Sequence, residues 1–297
     1  MRLVCPPGST ARIFNRGGEM VSAKNVVRVL ANVPNRLLVS ASDSRLYVLK
    51  LYKDHTKDRS LLRESLGTAL AACLGLPVPR WQPIYVSNDF ISAFSHIWTR
   101  GRPSAGSYFG SEMIGQNSGE QVCDYLPKTW MDRIENRPAF IGALMLDIWA
   151  SNARSRRAIF LQEADSTRFR ALFVGFKEMF STQVDYSPTT MAGRYSRRCI
   201  YEGLWNEQAF SMWQRRIVSF QNSRFWQLIS QLPEEWVDRD DAEQILSRLV
   251  ANQKIIKRLQ FHSFDPRTEP WDHPGGCVSI SIRPSPWRKF AKVAFGV

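Results

Sequence analysis

Residues 140–160, FIGALMLDIWASNARSRRAIF, constrain the chain most. An apolar helical run is broken there by a lone acid, Asp147, and followed five residues on by Asn152. Asn136, Arg137 and Pro138 provide a helix start, with a side-chain acceptor at the cap and a proline where its missing N–H costs little. Ile141, Leu144 and Met145 carry the helix forward. If it continued, Asp147 and Asn152 would stand roughly 140° apart at about 100° per residue, too far round to share one ion. A loop has to bring them together. Acid, four spacers and amide is the arrangement in which a carboxylate takes the proton of an attacking hydroxyl and an amide oxygen helps hold magnesium on phosphates. A helix that ends at a solvated aspartate, with Asn152 in a turn, has the same spacing.

A chain of 297 residues can bury one large core or build two lobes, and 44% hydrophobic with 23% charged is ordinary for a globular protein. Five scattered cysteines without a C-x-x-C pair argue against a disulfide framework or a zinc ribbon and suit a reducing cytoplasm. The four histidines are too dispersed for a metal centre. The longest apolar run is interrupted at Asp147 and falls short of the ~18 residues a span requires. The first nine residues lack a signal-peptide core. The expectation is therefore a soluble cytoplasmic protein with no membrane partner. A net charge of +13 attracts polyanions, including ATP and nucleic acid. The densest basic groups, Arg154, Arg156 and Arg157 and then Arg194, Arg197 and Arg198, lie downstream of the Asp147 break. A phosphate-handling cleft accounts for that placement, and so does a solvated basic face; nucleic-acid binding rests on charge alone.

Taken in order, residues 1–25 form an irregular arm, rich in proline and glycine. Strands are predicted at 26–29, 36–40 and 46–51, the last two joined by a turn at 41–45. Lys50 ends the third strand. A helix of about sixteen residues follows through Cys73, stopped by Gly75 and Pro77, and it carries Glu64. Strand lysine then helix glutamate is the order in which kinases grip the α and β phosphates. Residues 76–86 lead into a strand, 87–105 read as polar and irregular, 107–114 as a strand and 115–120 as a linker. Beyond lie a second hairpin (157–161 and 168–174) and helices near 201–218, 222–231 and 240–262, and a loosely attached tail at 265–297. The fold class is α+β and two-lobed, with a mainly antiparallel β lobe over 26–120 and a helical lobe over 121–264. Walker A, G-x-G-x-x-G, H-E-x-x-H and G-x-S-x-G motifs are absent.

Several segments together resemble the HipA-like kinase family, relatives of bacterial toxin kinases whose fold is similar to protein kinases. They are RLYVLKLYKD with Lys50, RESLGTALAACLGLPVP with Glu64, YFGSEM, DIWASN and RYSRRCIYEG, and the match runs over residues 32–259. The resemblance implies an ATP- and magnesium-dependent Ser/Thr-type kinase. Lys50 and Glu64 would form the nucleotide clamp, Asp147 the catalytic base and Asn152 a magnesium ligand, with Phe109 and Gly110 near the adenine hinge. A protein substrate or antitoxin-like partner would follow. Three departures stand out. Gly175 replaces the family's metal-binding aspartate, with Glu178 and Asp185 the nearest substitutes. Arg154 replaces an acid, and the presumed phosphate loop over 30–36 has no glycine. The functions left open are a working HipA-like kinase, a pseudokinase that binds a nucleotide or a protein, and a basic nucleic-acid-binding protein.

Overall fold

The computed structural model describes residues 20–30, 36–51, 59–98, 101–181 and 193–261. The arm over 1–19, loop residues 31–35, Asp185 and the tail lie outside the described residues.

Strands β1 (Ala23–Val29), β2 (Arg36–Ala41) and β3 (Leu46–Lys50) run antiparallel in sequence. β1 begins three residues before the expected 26, so the end of the presumed arm belongs to the sheet. Asp43 shapes the β2–β3 turn, accepting from the Arg45 N–H at 3.2 Å and the Tyr47 hydroxyl at 2.6 Å. Helix α1 (Ser60–Cys73) follows, then β4 (Trp81–Val86), a short helix α2 (Asn88–Ala93) and β5 (Gly106–Glu112). The sheet order is β1-β2-β3-β5-β4. Pro83 is tolerated because β4 is an outer strand. The Tyr85 N–H donates to the Val21 carbonyl at 2.8 Å, and Ser22 bridges Tyr85, so the sheet curls until its outer strands meet at one corner. Period-two alternation sends Leu37, Val39, Tyr47, Leu49, Ile84 and Tyr108 into the concave core, capped by Phe90 and Ile91 of α2. The expectation that 87–105 is irregular is corrected here. Ser87 caps α2 by accepting from the Phe90 N–H at 3.1 Å, and a serine three residues before an apolar pair was the available signal.

The second lobe holds a three-stranded antiparallel sheet of β6 (Gln121–Cys123), β7 (Arg157–Gln162) and β8 (Arg170–Val174). It packs on α3 (Ala139–Trp149), α4 (Glu207–Val218), α5 (Asn222–Ile229) and α6 (Arg239–Arg258). Helix α3 is buried along nearly its whole length, and Gly142 lets Trp213 of α4 lie against its backbone. Asn136 does not cap it. Its amide instead accepts from the Ala171 N–H and donates to the Ala171 carbonyl, both at 2.8 Å, fastening the start of the helix to β8. One continuous core joins α1 to the second lobe and includes Trp81 and Phe109 from the other face of the first sheet. The observed fold is α+β, with antiparallel strands leading and helices following.

Candidate functional site

Between the five-stranded sheet and β7–β8 lies a cavity of about 330 Å³. Its walls are largely apolar, from Val48, Met113, Ile114, Val122, Ile159, Phe173 and Phe176, with a few charged groups converging on it, as a small-molecule pocket requires. Lys50 leaves β3 on the same face as Val48 and reaches Glu64 of α1, with Nζ 2.6 Å from Oε1. The Lys177 N–H donates to the other Glu64 oxygen at 3.1 Å. Burial would raise the Glu64 carboxyl, but the Lys50 ammonium and backbone N–H donation outweigh it, and the net direction is down. Burial pushes the Lys50 ammonium down, and the nearby Arg36 and Arg157 guanidiniums press the same way.

The depressed Glu64 carboxyl gives stability a pH dependence. The unfolded chain binds this proton more readily than the folded one, so the contribution is present above the ordinary value of 4.5 and is lost as pH falls through the lower folded value. In thermal melts from pH 7 to pH 3, wild type should exceed Glu64→Gln at neutral pH, with the gap closing below pH 4.5. A gap that stays constant to pH 3 would mean the carboxylate is not held by Lys50.

Phe109 lines the cavity, stacks on Trp81 with centroids 5.0 Å apart, and lies 5.6 Å from the Lys50 ammonium. Gly110 does not line it. By the alternation of β5 it points with Tyr108 to the opposite face of the sheet, where a Cβ would stand 2.4 Å from Ile84. The glycine serves strand packing, and its place by the nucleotide rests on the resemblance alone.

Helix α3 ends at Trp149, and Ser151 takes a left-handed φ of 52°, which turns the chain back so that Asn152 meets Asp147. The Asn152 amide donates to Asp147 Oδ1 at 3.0 Å, and its N–H donates to the Asp147 carbonyl at 2.9 Å. The two residues expected to converge do so. Their surroundings, however, were not legible. Arg156 Nε donates to Asp147 Oδ2 at 2.8 Å, and Nη2 donates to Oδ1 in a short contact. Two guanidinium N–H groups on two oxygens is the geometry of an ionised carboxylate in a bidentate pair. Burial pushes the Asp147 carboxyl up, while Arg156 and then Asn152 pull against it. The guanidinium also lies 4.3 Å over the Phe176 ring and reaches toward the Val174 and Gly175 carbonyls at 3.3 and 3.5 Å. Neither Asp147 nor Asn152 lines the cavity.

Among the described residues, those expected at the metal site do not fit a magnesium ion, and Asp185 lies outside them. Asp147 is fully buried and takes three donors from Arg156 and Asn152, and the Asn152 oxygen accepts the Arg154 N–H at 3.1 Å. Gly175, at φ 76°, offers no side chain. Glu178, a suggested substitute, is half-exposed with its carboxylate 3.5 Å from the Lys177 ammonium. Among the described residues no group of three His, Cys, Asp or Glu side chains is placed to hold a metal.

Sequence reasoning noticed the Arg154, Arg156, Arg157 run without separating its members. The structure divides them: Arg156 is buried against Asp147, Arg157 lines the cavity, and Arg154 is exposed. Alternation along β7 was the signal that could have split them. Arg36 was missed as a cavity residue, although its register opposite Lys50 follows from the hairpin. The RYSRRCIYEG segment braces the loop: the Arg156 N–H donates to the Arg194 carbonyl at 2.8 Å, and the Tyr201 hydroxyl accepts from the Tyr195 N–H at 3.0 Å.

No family model matches the chain, and no curated protein sequence does. Solved structures give a distant similarity to kinase-like folds. The Helicobacter pylori proinflammatory kinase CtkA is 11% identical over 76% of this chain and 94% of that one, with a TM-score of 0.49. The Golgi casein kinase with Mn/ADP bound is 10% identical over 81% and 74%, with a TM-score of 0.47. The same kinase in a second structure gives 10% identity, 80% and 71% coverage, and a TM-score of 0.42.

Proposed function

We propose that the protein is a HipA-like pseudokinase, a nucleotide-binding module that has lost, or nearly lost, phosphoryl transfer. The observation that carries this reading is the Arg156 clamp. A general base needs a free lone pair within hydrogen-bond reach of the proton it takes. Asp147 spends its oxygens on a buried guanidinium and an amide, away from the cavity. The Lys50–Glu64 pair, by contrast, stands at the cavity wall in the strand-then-helix arrangement that grips nucleotide phosphates in kinases. ATP is the ligand this reading names, and a protein partner is its output. A working kinase is favoured by one observation, the meeting of Asp147 with Asn152 after α3, and would require Arg156 to swing away.

The test is transfer of labelled γ-phosphate from ATP in wild type, Asp147→Asn and Gly175→Asp. All three should remain at background. Restoring one acid at Gly175 leaves Asp147 clamped. Transfer by wild type that disappears in Asp147→Asn would establish a working kinase instead.

A further inference from the structure

The outer face of α6 is ordered by charge along its length. Ala242, Ile245, Leu249 and Ile256 are buried against the lobe, and the opposite side of the helix is exposed. At about 100° per residue, Asp240, Glu243 and Gln244, then Ser247 and Ala251, then Lys254 and Arg258 fall within roughly 60° of one line down the helix. That line is ~27 Å long, acidic in its first half, small at its centre and basic in its second. The hollows along it are lined by α6 and Leu259 alone, so among the described residues no other element overlies it. The helix dipole favours acids in the first turn and bases in the last, which accounts for Asp240 and Arg258. Glu243 and Lys254 each lie further in, where that effect has decayed. Glu243 pairs with Arg239 of its own helix at 3.1 Å, both largely exposed, while Lys254 has no ion pair among the described residues. Beside it, Ile255 is 59% exposed.

We infer that this face seats a symmetric homodimer, in which α6 packs antiparallel on α6 of a second copy of the chain. The face is complementary to its own reversal about Leu249. Turned end for end, Ser247 of one copy meets Ala251 of the other, Gln244 meets Lys254, Asp240 meets Arg258, and Glu243 meets Ile255 and the neighbouring Lys254. Each contact occurs twice, as an isologous interface requires. Small side chains at the crossing let the two axes approach to the near end of the ~8–10 Å range, which brings the longer side chains on either side into reach. Parallel packing would set acid on acid and base on base, so charge selects the antiparallel arrangement. A net charge of +13 on each copy opposes association, but at ~0.15 M salt a screening length of ~8 Å quenches repulsion between the bodies and spares pairs in contact. Contact along one helix belongs at the small end of interfaces, under ~1,200 Å² in total, so the dimer is one that dissociates on dilution.

Sedimentation velocity on the full chain at rising concentration, in ~0.15 M salt, tests it. Wild type should pass from monomer to dimer. Glu243→Lys and Lys254→Glu should each weaken the dimer roughly tenfold or more, because each reverses the charge at two symmetric contacts at once. Both side chains are exposed, so both variants should unfold thermally like wild type. Mixed in equal amounts, the two variants should associate again, since each supplies the charge that the other lacks. Ala251→Arg, a good helix former placed at the crossing, should abolish association and leave the helix intact. A monomer at every concentration would overturn the inference. So would a dimer indifferent to both charge reversals and to Ala251→Arg, which would be seated elsewhere, or a pair of folded, monomeric variants that fail to recombine on mixing.

Discussion

Arg156→Met is expected to destabilise the protein by about 3–5 kcal/mol, the cost of leaving a buried charge without its partner. Arg156 and Asp147 are 3% and 0% exposed, so water cannot take the place of the guanidinium. At ~2–4 °C per kcal/mol the melting temperature should fall by roughly 6–20 °C. Asp147→Leu with Arg156→Met should recover most of the loss, because matched apolar replacement of a buried pair is often neutral. About 1–2 kcal/mol should remain missing, since the Asn152 amide loses its acceptor. Denaturant unfolding of both variants measures this, and coupling between the positions is the informative quantity. A single-variant cost under ~1 kcal/mol would mean that Asp147 does not depend on Arg156, and the clamp would cease to explain absent catalysis.

Gly110→Val should cost about 2–3 kcal/mol or more, through overpacking at the centre of the first sheet. A Cβ there would stand 2.4 Å from Ile84 and 3.2 Å from both the Gln82 carbonyl and a Leu49 methyl, with strands on either side and little room to relax. Val on the cavity-facing side of the same strand would be an ordinary β residue. Phe109→Ala serves as the contrast, since it opens the cavity wall and should weaken a bound nucleotide more than Gly110→Val does in whatever fraction remains folded. Weak ligand binding by a fully stable Gly110→Val would return that glycine to the pocket.

The fold was legible where local pattern decides it. Alternation in β2 and β3, the turn at Asp43 and the glycine stop after α1 are short-range signals, and they place Lys50 and Glu64 in order on consecutive elements. The break after α3 was legible as well, because an acid and an amide five residues apart cannot share a helix face. What was not legible is pairing at a distance. Arg156 and Arg157 are adjacent in sequence and look alike, yet strand alternation buries one against Asp147 and opens the other to the cavity. Asn136 looked like a cap and became a clamp on β8, since a tertiary backbone partner was in reach. Gly110 was assigned by resemblance alone; its parity with Tyr108 puts its side-chain position on the face of β5 away from the cavity.

The loop that brings Asn152 to Asp147 is not shaped by its own residues alone. Ser151 and Phe180 both hold left-handed backbone angles, and α6 secures them: Asn252 donates to the Trp149 carbonyl and the Ser151 hydroxyl, each at 2.8 Å, Arg248 donates to the Phe180 carbonyl, and the Trp149 indole donates to the Leu249 carbonyl at 2.9 Å. The Trp149–Leu249 contact spans 100 residues. A ribosome adding ~5–20 residues per second leaves roughly 5–20 s between the synthesis of this turn and that of its anchors. For that interval the turn exists with its local sequence complete and its far supports unmade, so in the order of birth a later helix finishes what an earlier one began.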